Sequence, residues 1–103
     1  MEKDLVYISG GVSLNPNYRK DFKRGQTKME KAGFAVINPV EIFKGFKLKD
    51  HEAYMKVCLP LLEQADHILM LCGWSTSEGA VTEHNHAKLH NISIMYEDGA
   101  ERG

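Results

Sequence analysis

The chain has two cysteines, three prolines, one tryptophan and no long apolar run among its 103 residues, and each scarcity excludes something. Cys58 and Cys72 show no C-x-x-C spacing, so neither a thiolate zinc site nor a disulfide framework is indicated. No apolar stretch approaches the roughly 18 residues of a membrane span. Met1-Glu2-Lys3-Asp4 lacks the basic region and longer apolar segment of a secretory leader, so the expected setting is a reducing cytoplasm. Charge of one sign is also missing: 13 Lys and Arg balance 14 Asp and Glu, for a formal charge of −1. Such a balance gives no electrostatic reason to expect a nucleic acid polymer or an anionic membrane as partner.

What is present is an ordinary globular composition, 43% hydrophobic and 26% charged. At this length it supports one core, so residues 1–103 are read as a single domain, with about 97–103 as a flexible polar tail. Leu5-Val6-Tyr7-Ile8 is a short apolar strand stopped by Ser9-Gly10-Gly11. Asn15 and Pro16 are placed to cap and open a helix, along which Tyr18, Phe22, Gly25, Met29 and Ala32 recur at helical spacing until Gly33. Phe34–Ile37 is a second strand ended by Asn38-Pro39, and Val40 to Asp50 reads as a helical turn plus a loop with Lys44, Lys47 and Lys49. That basic loop is either solvated or a cover for an anionic ligand.

Tyr54, Cys58, Leu61, Leu62 and Ala65 make the stripe of a further helix that Pro60 is expected to kink or split. His67–Cys72 is the third strand, Glu78 to about His90 the last helix, and Ile92–Tyr96 the fourth strand. Continuously apolar strands alternating with helices predict a small doubly wound α/β sandwich, flavodoxin- or Rossmann-like, with a four- to five-stranded, mostly parallel sheet. Ligands of such sheets bind beyond the carboxyl ends of the strands. The loops that converge there, Ser9–Asn17, Asn38–Phe46 and Gly73–Ser77, make Ser9, Gly10, Gly11, Asn38, Trp74, Ser77 and Gly79 the expected substrate contacts.

Each of these has a plainer structural reading. Gly10-Gly11 also suits a simple turn, Ser77 a helix cap, and Trp74 either a stacking surface for a base or surface packing. Ala80, Glu83 and Ala87 share one helix face, and the small alanines turn that face toward the sheet. Glu83 is therefore expected to point inward, the alternative being a partly exposed glutamate paired with a lysine or histidine. An inward carboxylate costs several kcal/mol unless something compensates it. His86 and His90 have i, i+4 spacing but no third ligand in view, so no metal is expected. Cys58 reads as a small apolar residue of its stripe.

Tyr7-Ile8-Ser9-Gly10, the helix ending in Leu62-Glu63-Gln64-Ala65-Asp66 with the strand from Ile68, and Ser77-x-Gly79-x-x-x-Glu83-x-x-x-Ala87 resemble the nucleoside 2-deoxyribosyltransferase superfamily over nearly the whole chain. The family's hydrolytic relatives cleave deoxynucleoside monophosphates. The Trp-x-x-Ser loop and the Gly-Ala-x-x-Glu turn look closest to a group of short bacterial and phage proteins. The resemblance implies that Glu83 is a nucleophile attacking the anomeric carbon of a deoxyribosyl group, as in a retaining glycosidase. It implies that Tyr7 orients Glu83, and that Gly10, Gly11 and Ser77 hold a sugar hydroxyl or a 5'-phosphate. It further implies a nucleoside or nucleotide ligand, no cofactor, and a homo-oligomer of two or more subunits. Where catalytic members carry an aspartate, eight residues before Asp66, this chain has Cys58, a weak acid for protonating a leaving base. A module that binds a nucleotide without turnover is the alternative.

Overall fold

The computed structural model describes residues 2–103. Four strands, β1 (Leu5–Ser9), β2 (Ala35–Ile37), β3 (His67–Met70) and β4 (Ser93–Tyr96), form one sheet in the order β2-β1-β3-β4. Every neighbouring pair is parallel. Helices α1 (Tyr18–Lys31), α2 (Pro39–Ile42), α3 (His51–Glu63) and α4 (Glu78–Leu89) fill the connections. The expected α/β three-layer fold is present, with four strands among the described residues.

Alternation along β1 and β3 sorts the core into two layers. Val6, Ile8, Leu69 and Leu71 meet Phe22 and Met29 of α1 on one face. Tyr7, Ile68 and Met70 meet Cys58 and Leu62 of α3 and Ala80 and Ala87 of α4 on the other. Both faces are covered, which is why these strands are apolar at almost every position. Ser9 is the polar exception, fully buried at the carboxyl end of β1. Strand order reverses direction between β1 and β3, so a crevice opens at their carboxyl ends.

Three local expectations are corrected. Asn15 does not cap α1, whose N-cap is Asn17. The Asn15 carboxamide instead accepts from the Asn17 N–H and donates to Asp21 Oδ2 at 2.8 Å, so it braces the approach to the helix through an Asx turn. Pro60 lies inside α3, which continues through it, so of the expected kink or split the split is the one excluded. A proline removes one intrahelical N–H, and the packing of Cys58 and Leu62 on the sheet on either side of it holds the helix together.

The third correction concerns residues 97–103, which are tied down rather than frayed. Glu97 is buried and receives a two-pronged bond from Arg24 of α1, at 2.7 and 2.9 Å, and one from the Cys72 N–H at 3.0 Å. Burial alone would raise the Glu97 pKa, but the guanidinium and the Cys72 donor together hold it below the ordinary carboxylate range. Further along, the Glu101 carboxylate accepts from the N–H groups of Gly73 and Ser75 and from the Ser75 hydroxyl. Its backbone carbonyl takes the Trp74 indole N–H at 2.6 Å.

Candidate active site

The crevice is a cavity of about 530 Å³, within the usual range for a small-molecule site. Its floor is the carboxyl end of β1 and its walls are α3 and α4. Glu83 reaches it from the inward face of α4 with 6% of its surface exposed. One carboxylate oxygen, Oε2, accepts from the Tyr7 hydroxyl, and Oε1 accepts from Ser9 Oγ at 2.7 Å. Tyr7 and Ser9 are two apart on a strand and so face the same side, toward α4.

These contacts set the charge state. Burial raises the Glu83 pKa from 4.5 to about 7, while the two hydroxyl donors and the more distant His86 pull it down. Tyr7 is raised far above its ordinary value, first by burial and then by the Glu83 charge, so it remains a proton donor to the carboxylate. Burial also pushes the Cys58 thiol up to about 11, with the Glu83 charge adding to it. A thiol so placed is neutral and a poor acid at ordinary pH.

The residues singled out from sequence divide into two sets. Tyr7, Gly10, Cys58, Ser77, Gly79 and Glu83 all line the cavity. A side chain at Gly10 would meet the Leu71 side chain at 3.0 Å, so its absence lets the loop lie close to the sheet. At Gly79 an added carbon would lie 3.2 Å from the His51 ring, which closes the α3 side of the same wall. Ser77 is the N-cap of α4, its hydroxyl accepting from the Ala80 N–H at 3.3 Å, and it combines that role with a place in the cavity lining.

Ser9, Gly11, Asn38 and Trp74 are not among the lining residues. Ser9 is spent on Glu83. Gly11 lies beside Ser77, with an added carbon 3.5 Å from the Ser77 Cβ. Asn38 is a buried cap: its carbonyl accepts from the Val40 N–H at 3.0 Å and its amide donates to Gln26 at the same distance. Its neighbours Pro39 and Val40 line the cavity instead. Trp74 is 4% exposed, stacked on His84 with ring centroids 4.4 Å apart and covered by the Glu101 backbone, so the expected base-stacking surface is interior packing.

Four lining residues carry a signal not used in the sequence analysis. Arg19 sits in the first turn of α1, just beyond the glycine loop. His51 opens α3 immediately after its N-cap Asp50, whose carboxylate accepts from the Ala53 N–H. Tyr54 and Met55 follow one turn on. All lie at helix starts, and in a parallel α/β sheet helix starts gather at the carboxyl edge of the strands. Phe43, Phe46 and Lys47 of the basic loop complete that side.

A parallel α/β domain with a buried, hydrogen-bonded glutamate at its switch point is the class of protein that fold and site define. The chain belongs to the family described as "Domain of unknown function (DUF4406)", whose profile matches residues 4–96. No curated protein matches it. The matched span contains all four strands and every residue that lines the cavity.

Proposed function

We propose that the cavity cleaves the N-glycosidic bond of a deoxynucleoside or its monophosphate, with Glu83 as nucleophile. The observation that carries this reading is the Glu83 carboxylate, buried yet facing a cavity of nucleotide size and fixed by Tyr7 and Ser9. A structural carboxylate buried this deeply is ordinarily matched with a cation, whereas this one has two neutral donors and an open face. Its pKa of about 7 leaves both forms populated at neutral pH, and the ionised form attacks.

In the first step a Glu83 oxygen bonds to the anomeric carbon as the C–N bond breaks, and the base leaves with the electron pair and takes up a proton. Water or a second base then attacks that carbon, releasing the sugar and restoring the carboxylate. Cys58, held as a neutral thiol by burial, is a poor proton donor to the leaving base. His51 is the imidazole on the cavity wall and takes that part. Arg19 and Lys47 are the cationic side chains lining the cavity, which favours a monophosphate over the free nucleoside. The parts given to Glu83 and Tyr7 are those that the resemblance to nucleoside 2-deoxyribosyltransferases implies; those of His51, Arg19 and Lys47 rest on the cavity lining alone.

The test is incubation with a panel of deoxynucleosides and their 5'-monophosphates, followed by chromatography for free base. Release from at least one member, faster for the monophosphate, is expected; absence of release across the panel would overturn catalysis. In the releasing reaction, Tyr7→Phe should shift the rising limb of the pH–rate profile upward, because the lost hydroxyl is a donor that lowers the Glu83 pKa. An unshifted limb would mean that Glu83 is not the group being titrated.

The Cys58 thiol favours one second reading, a nucleotide-binding module without turnover. It predicts no base release but a nucleotide-induced rise in melting temperature.

A further inference from the structure

Away from the cavity, α3 and α4 bring together three side chains that do not line it. His86 lies in the last turn of α4 and His90 is its C-cap, with ring centroids 4.2 Å apart. Glu63, the last residue of α3, faces both. Its Oε2 is 2.7 Å from His86 Nε2 and 4.0 Å from His90 Nε2. The three ligand atoms all lie within 4.8 Å of one another.

We propose that Glu63, His86 and His90 form a binding site for a divalent transition ion, Zn²⁺ in first place, that clamps α3 to α4. Sequence spacing alone supplied two histidines and no third ligand; packing of the helices supplies it from a residue 23 positions before His86. Two imidazoles at i, i+4 and one carboxylate are a zinc donor set, whereas Mg²⁺ and Ca²⁺ require oxygen ligands throughout. Tetrahedral zinc with bonds near 2.0 Å separates its ligands by about 3.3 Å. The distances of 2.7 and 4.0 Å straddle that value, so small side-chain rotations centre the ion between the three atoms.

The surroundings suit a clamp. The Glu63 and His90 side chains are 39% and 42% exposed, leaving an entry path and a fourth position for water. Both helices anchor in the core through Leu62 and Ala87, each adjacent to a ligand residue, so the cluster is set on rigid backbone. The fourth position is open to water or to a donor from outside the chain.

The experiment uses the full chain, freed of metal by chelator and dialysis, and titrated with Zn²⁺ by calorimetry and thermal melting. One ion per chain is expected, with a melting temperature raised by roughly 10 °C at about 100 times the Kd. Co²⁺ in its place should give the visible absorption of a tetrahedral site. His90→Ala, at an exposed position that preserves the fold, should weaken binding at least about tenfold, and His86→Ala with His90→Ala should abolish it. Cys72→Ser should change nothing, because that exposed thiol is the alternative zinc ligand. No stabilisation of the wild-type chain, or stoichiometric binding that survives loss of both histidines, would overturn the site.

Discussion

Glu83→Gln is expected to lower base release by at least about 10³-fold while leaving the nucleotide able to bind. The substitution keeps the length and planarity of the side chain: one of the Tyr7 and Ser9 hydroxyls goes on donating to the remaining oxygen, the other turns to accept from the new amide, and the wall of the cavity keeps its shape. What it removes is the negative oxygen that forms the bond to the anomeric carbon. Two measurements made together separate this from general damage: chromatography of the released base, and the nucleotide-induced melting shift of the same preparation. Release at the wild-type rate would eliminate the covalent mechanism. Lost release with a preserved shift locates the loss in chemistry, and a mass increase corresponding to a sugar on the wild-type peptide around Glu83, absent in the variant, would identify the intermediate.

The same variant should be more stable than the wild-type chain in alkaline solution. The folded pKa of Glu83 is about 7 against an ordinary 4.5, so the fold prefers the protonated acid. A raised folded pKa contributes stability that is fully present below about 4.5 and is lost as pH rises through about 7. A shift of this size corresponds to about 3 kcal/mol at 1.36 kcal/mol per pK unit. Glutamine has no proton to lose, so the difference between the two proteins isolates the Glu83 contribution from that of Asp21 and Glu97, whose pKa values are lowered and which act at acidic pH. Denaturant unfolding at pH 5 and pH 8 should show the wild-type chain losing roughly 2 to 3 kcal/mol relative to the variant across that interval. Equal differences at the two pH values would mean that the buried carboxylate is compensated by something other than protonation. Together the two results would describe a residue kept for its chemistry at the expense of the fold.

Much of this arrangement is legible in the sequence alone. The apolar strands, the glycine that ends α1 and the inward face carrying Glu83 follow from periodicity, which reports how a segment meets its own sheet. Asn38 and Trp74 were misplaced because loop residues of binding type are also capping and packing types, and only the neighbours decide: Val40 and Gln26 claim one, His84 and the Glu101 backbone the other. The 97–103 segment reads as a tail because it is polar, yet its polarity is what Arg24, Cys72 and Ser75 bind. His51 and Arg19 had no local signature, since their relation to Glu83 exists only after the sheet closes. Glu63 is the same case, a surface glutamate until α4 arrives beside it.

The pairing of Tyr7 and Ser9 on β1 has a consequence for how this domain tolerates change. Their neighbours Val6 and Ile8 belong to the opposite layer of the core. Gain or loss of one residue within the five of β1 would exchange the two sets, setting aliphatic carbons under the Glu83 carboxylate and hydroxyls against Phe22 and Met29. Odd and even positions of one short strand thus carry two independent requirements at once. Length variation among relatives should accordingly gather in the loops after Ser9 and before α3, and spare β1 altogether.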